Sequence, residues 1–260
     1  MGELIHCTVD RGIATLVLDN PPVNVVTLAL TDDLERRLRD LAEDPAVRVL
    51  VVTGAGSKAF CAGSDIQEFV QYMAPGVVID KKMAKEIRVY DALDSFPKPT
   101  IAAINGFAMG GGAELALCCD IRVMDEGKKI GFPECKLGVF PGSGGTQRLP
   151  RIVGEGIAKE LMYTGDPIGA QRAYEIGLIN RIAPAGEALA LAMELANTIS
   201  QRAGIALECI KETVDYGLAA GICEGQQRVL KLTDRVFRSE DIQEGVKAFM
   251  EKRPPQFKHR

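Results

Sequence analysis

Two glutamates stand in settings that suit chemistry better than solvent. Glu114 lies in "GFAMGGGAELALCCD", among apolar neighbours and directly after Gly110, Gly111 and Gly112. A helix beginning at those glycines offers unpaired N–H groups and the positive end of its dipole to a negative charge, and the missing side chains let an anion approach the backbone. Such amides can hold a developing enolate or tetrahedral oxyanion. The same residues also fit a helix packed tightly through its glycines, with Glu114 as a paired core charge. Glu134, in "GFPECKLG", sits just after a strand pattern and beside Cys135, a poor place for a solvated charge. A glutamate that only caps a turn fits that stretch as well. Neighbouring buried carboxyls acquire raised or split pKa values, so that one holds a proton while the other accepts one; adding or removing water needs such a pair.

The elements that must position these groups follow from hydrophobic periodicity. "IATLVLDN" alternates as a strand, and Thr31 is expected to cap "TDDLERRLRDLAED", which sets Leu34, Leu38 and Leu41 on one face. "VRVLVVTG" reads as a buried strand, "AGSKAFCAGSD" as a loop, and "KPTIAAING" as a strand after a polar helical region. "DIRVMD" and "KKIGFPE" are extended, and "GVFPGSGGTQRL" is a second glycine-rich loop. Strands and helices alternate to about residue 180. From Ala185 onward the pattern is helical throughout, with Ser239 capping the last helix before Pro254 and Pro255. The expected division is residues 1–184 as the core carrying the site and 185–260 as a helical region.

Other chemistries fit poorly. His6 and His259 are the only histidines and lie at the chain ends, which removes a histidine general base. Neither Ser64 nor Ser143 sits in a G-x-S-x-G elbow, because Ala62 and Pro141 occupy the first glycine position. No carboxylates or histidines cluster at metal-ligand spacing, so no metal is expected. "VLVVTGAGSKAFCAG" fails as a dinucleotide fingerprint, since Ala59 stands at the third glycine, and no GK[ST] follows "GSGGTQRL". With 260 residues and 47% hydrophobic content the chain can bury a sizeable core, and a net charge of −4 without a basic run predicts no nucleic-acid partner and no anionic membrane surface. Seven cysteines without regular spacing argue against a disulfide framework and for a reducing compartment. The amphipathic start "MGELIHCTVDRG" does not read as a signal peptide, so the expected location is cytoplasmic.

"AFCAGSDIQEF", "IAAINGFAMGGGAELALCCDIRV" and "IGFPECKLGVFPGSGGTQRLPRIVG" together resemble the enoyl-CoA hydratase (crotonase) family, as do "TGDPIGAQRAYEIGLINRI" and "FMEKRPPQF", in family order. The resemblance spans nearly the whole chain. It implies an α/β fold, a spiral of ββα units, with a C-terminal helical region that builds a homotrimer or, as a dimer of trimers, a homohexamer. It also implies an acyl-CoA thioester substrate, with coenzyme A part of the substrate and no separate cofactor.

By the same resemblance, the amides of Ser64 and Gly111 form an oxyanion hole for the thioester oxygen, and the Ser64 side chain is not required for that role. Ala62, Asp65 and Ile66 match the loop along the adenine and pantetheine path. Lys58 and Lys252 match lysines that contact the CoA phosphates, Lys252 reaching a neighbouring subunit. Glu114 and Glu134 match the two acid/base glutamates of true hydratases, one activating water for attack at C3 and the other protonating C2. This implies a lyase, a hydro-lyase acting in fatty acid metabolism such as β-oxidation. The alternative is another activity of the family: a double-bond isomerase, a decarboxylase, or a hydratase for a specialised branched, cyclic or aromatic acyl group. Pro21 and Gln67 stand where several members carry phosphate-contacting lysines, and Gly142 stands where dienoyl-CoA isomerases place an aspartate.

Overall fold

Three consecutive strand-strand-helix units build the centre of the molecule. A computed structural model describes residues 3–74 and 76–260. The chain enters through an antiparallel hairpin, β1 (Ile5–Asp10) and β2 (Ile13–Leu18), and then α1 (Leu28–Glu43). The first unit is β3 (Val49–Gly54), β4 (Ala59–Cys61) and the helices α2 (Ile66–Val70) and α3 (Ala84–Asp94), with a π-helical turn over Ile79–Met83 leading into α3. The second is β5 (Thr100–Ile104), β6 (Phe107–Met109) and α4 (Gly111–Leu117). The third is β7 (Ile121–Asp125), β8 (Lys129–Gly131), a 3-10 turn over Pro133–Leu137 and α5 (Gly145–Val153).

The first strands of the units join a six-stranded sheet in the order β1-β2-β3-β5-β7-β10, parallel from β2 onward, closed by β10 (Arg181–Ala183). The second strands form a smaller sheet, β4-β6-β8-β9, in which β4, β6 and β8 run parallel and β9 (Ile168–Gly169) pairs antiparallel. Before β9 comes α6 (Glu155–Thr164), and between β9 and β10 comes α7 (Ala170–Glu175). Every residue of β3 and β5 is buried, as expected of parallel strands covered on both faces.

On one face lies α8 (Ala188–Ser200), whose Ala188, Ala192 and Ala196 meet Val49, Val51, Ile101 and Val123. Alanines at every fourth position bring that helix close to the sheet. The other face carries the larger core with α1, whose Leu34, Leu38 and Leu41 are buried. Each such leucine contributes about 1.5–3 kcal/mol of burial free energy. Beyond α8 come α9 (Gly204–Ala220), α10 (Ile222–Phe237) and α11 (Glu240–Met250), the last capped by Ser239 as expected.

Three local expectations change. The cap of α1 is Thr27, whose hydroxyl accepts from Leu30 N at 3.1 Å, while Thr31 lies a turn inside and gives its hydroxyl proton to Thr27 O. The expected loop "AGSKAFCAGSD" contains a three-residue strand, β4, and the residues before the glycine run form another, β6, both too short to show alternation. The last part of "GVFPGSGGTQRL" is the first turn of α5.

Candidate active site

Parallel pairing of β4, β6 and β8 sets their C-terminal ends side by side, and each of these ends delivers one functional group. Ser64 follows β4, Gly111 follows β6, and Glu134 follows β8. Glu114 is added one turn into α4.

The amides of Ser64 and Gly111 sit close together. A Cβ added to Gly111 would stand 3.3 Å from Ser64 N, and one added to Gly63 would stand 3.1 Å from Gly111 N. Gly63 has φ +93°, a conformation that strains any residue with a side chain, and it turns the chain so that the Ser64 amide faces the start of α4. Val26 N bonds to Gly63 O and Asp65 N to Val26 O, so the flanking groups are used, while the Ser64 amide has no partner among the described residues. Gly111 opens α4, where an amide has no partner in its own helix, and among the described residues it has none elsewhere. Tyr90, fully buried, donates its hydroxyl to Gly111 O at 2.8 Å and steadies this turn. Gly112 allows the approach of the first unit, since a Cβ there would lie 2.1 Å from Cys61 O.

Glu114 is buried, yet the helix start that meets its carboxylate is that of α5, not its own. Oε1 accepts the amides of Ser143 at 2.9 Å and Gly145 at 2.8 Å. Burial pushes the Glu114 carboxyl up to about 8; the Gly145 and Ser143 amides pull it back, while the charges of Glu134 and Glu86 add to the rise. Glu134 is raised too, again mainly by burial. Both of its carboxyl oxygens are buried and have no hydrogen-bond partner among the described residues. A carboxyl so placed is costly unless something else meets it. The paired-core-charge account of Glu114 thus gives way to an amide-held acid, and Glu134 caps no turn with its side chain.

The remaining expected residues are spread wider. Ala62 N bonds to Val23 O, Asp65 caps α2 through Gln67 N and Glu68 N, and Ile66 opens that helix with its side chain exposed. Lys58 is exposed between β3 and β4. Lys252 is exposed just after α11. Ser143, Gly145 and Tyr90 touch the site and were not anticipated; the glycine run "PGSGGT" was the only signal that backbone amides gather there.

The strand-strand-helix repeat, with free amides and acids at the ends of the second sheet, is accompanied by a family match: the chain belongs to the enoyl-CoA hydratase/isomerase family, whose model matches residues 8–260. The crotonyl-CoA hydratase of Syntrophomonas wolfei is 37% identical over 249 residues, 95% of each chain. The mitochondrial enoyl-CoA hydratase of Pongo abelii is 38% identical over 250 residues, covering 96% of this chain and 84% of that protein. The 1.8 Å crystal structure of enoyl-CoA hydratase from Bacillus anthracis matches with a TM-score of 0.94 at 36% identity, over 99% of this chain and 100% of that one. The fold is the crotonase fold. No helix among the described residues is long and apolar enough to cross a membrane.

Proposed function

We propose that this chain is a 2-enoyl-CoA hydratase, a hydro-lyase that adds water across the 2,3 double bond of an enoyl-CoA thioester to give the 3-hydroxyacyl-CoA. The observation that carries this reading is the unpartnered, buried carboxyl of Glu134 together with an amide-held Glu114 and two free backbone amides. The amides of Ser64 and Gly111 donate to the thioester oxygen and stabilise the enolate as negative charge develops there. Glu114, ionised, takes a proton from water while the water oxygen bonds to C3, and the π electrons move toward the thioester oxygen. Glu134, protonated, gives its proton to C2 as the enolate collapses. The reverse sequence is a dehydration.

Lys58 and Lys252 bind the CoA phosphates, the latter in a neighbouring subunit, and Ala62, Asp65 and Ile66 line the path to them. A trimer or hexamer built by the helical region is supported by Ile210, Leu218, Ile222, Leu230, Phe237 and Phe249, all exposed on α9, α10 and α11 of the single chain. A monomer by light scattering contradicts that assembly. The function is tested with purified protein and crotonyl-CoA, followed by loss of the enoyl-thioester absorbance and by a mass gain of one water. Absence of turnover across short, medium and aromatic enoyl-CoAs refutes it, and a product of unchanged mass points to a double-bond isomerase.

A further inference from the structure

Beneath the site lies a buried ionic cluster that the reaction above does not use. Lys82, on the π-helical turn, is fully buried, and its Nζ has acceptors at 2.7 Å (Glu68 Oε2), 2.9 Å (Glu86 Oε1) and 3.2 Å (Val26 O). Glu86, on the first turn of α3, is also fully buried. Its carboxylate accepts the hydroxyl of Ser64 at 3.1 Å and that of Ser143 at 3.0 Å. Glu68 in turn receives Leu28 N at the start of α1.

Two carboxylates against one ammonium leave this cluster one negative charge in excess. Buried ion clusters cost more desolvation than an apolar replacement of the same volume, so stability alone is a weak reason for this one. What it does hold is specific. Ser143 gives its hydroxyl to Glu86 and its amide to Glu114. Ser64 gives its hydroxyl to Glu86 and keeps its amide free. One carboxylate therefore grips the two serines whose amides serve opposite halves of the site.

We propose that Glu86 is a positioning residue: by accepting both serine hydroxyls it fixes the Ser64 amide toward the thioester oxygen and the Ser143 amide toward Glu114. This rests on reading Ser64 and Glu114 as reacting groups. A carboxylate suits the task because it only accepts, so both hydroxyl protons must point inward. An amide of the same shape donates from one end and turns one serine around. The Ser64 side chain, dispensable in the family's mechanism, acquires a role here.

The test is Glu86→Gln, which leaves Lys82 balanced by Glu68 and so is expected to fold. In wild type and variant, kcat and KM are measured on crotonyl-CoA, along with the infrared carbonyl stretch of bound butyryl-CoA labelled with ¹³C at the thioester carbon. Butyryl-CoA cannot be hydrated, so this second readout needs no turnover. The proposal expects kcat to fall about tenfold to a hundredfold, the range over which loss of second-layer support of reacting groups is felt, with KM within about twofold. The bound carbonyl band should move part of the way back toward its solution frequency. Ser64→Ala and Ser143→Ala, which keep both amides, should each lower kcat and should add nothing further in combination with Glu86→Gln. An unchanged kcat and carbonyl band in Glu86→Gln overturns the proposal, and so do serine variants whose losses simply add to it. If wild type binds butyryl-CoA with a displaced band that Glu86→Gln weakens, yet hydrates nothing, the positioning role stands and the hydratase reading falls.

Discussion

Gly145 donates its amide to Glu114 Oε1 at 2.8 Å, and a Cβ on Gly145 would stand 2.9 Å from that same oxygen. The donor is thus close enough to hold the carboxylate only while it has no side chain. A methyl there would also meet Glu114 Cγ and Pro141 Cβ at 3.0 Å. Gly145→Ala is expected to displace the Glu114 carboxylate and lower kcat by at least about tenfold, at a cost of about 1–3 kcal/mol in stability from overpacking. Steady-state kinetics and denaturant unfolding of the variant check both numbers.

Glu134→Gln separates rate from stability. Since neither carboxyl oxygen has a protein partner, the substitution breaks no hydrogen bond of the folded chain. Unfolding free energy at neutral pH should not fall below that of wild type, because the neutral amide removes the cost of a carboxyl that burial disfavours in its charged form. Hydration should fall by several powers of ten with acyl-CoA affinity retained. A folded variant with wild-type turnover would return Glu134 to a structural role.

Because burial lifts Glu114 to about 8 and raises Glu134 as well, the pair holds a proton through the neutral range. Hydration as proposed needs Glu114 ionised with a proton left on Glu134, so the acid limb of its pH profile should lie well above the ordinary carboxyl range, and its apparent pKa values belong to the pair. Stability carries the opposite sign. Between about pH 4.5 and 8 the unfolded chain has already lost the Glu114 proton that the folded chain keeps, so folding stability falls as pH rises through that window. Glu114→Gln should reduce this slope, leaving the part due to Glu134, and its melting temperature should gain on wild type from pH 5 to pH 8. Melting curves across that range check it, and a parallel pair of curves would refute it.

Much of the candidate site was legible because Glu114 and Glu134 are charged residues in glycine-rich, apolar surroundings, where a solvated role is hard to defend. The long strands β3 and β5 were legible because their burial on both faces demands continuous β-branched and small apolar runs. Lys82 and Glu86 were hidden for the opposite reason. At i and i+4 in a polar helical stretch they look like a surface ion pair, and only the π-helical turn and the packing of α3 carry them inside. The partners of the Glu114 carboxylate were hidden too, since Ser143 and Gly145 act through amides that every residue type shares.

The three units follow one another along the chain, and so does the inventory of the site. A ribosome that has extruded residues through α4 has released the Ser64 and Gly111 amides and Glu114, but neither Glu134 nor the amides that hold the Glu114 carboxylate. On the proposed reading such a nascent chain carries both thioester-binding amides but lacks Lys252 and one of the two acids. The second acid of the proposed pair arrives with the last unit, before β9 and β10 close the two sheets.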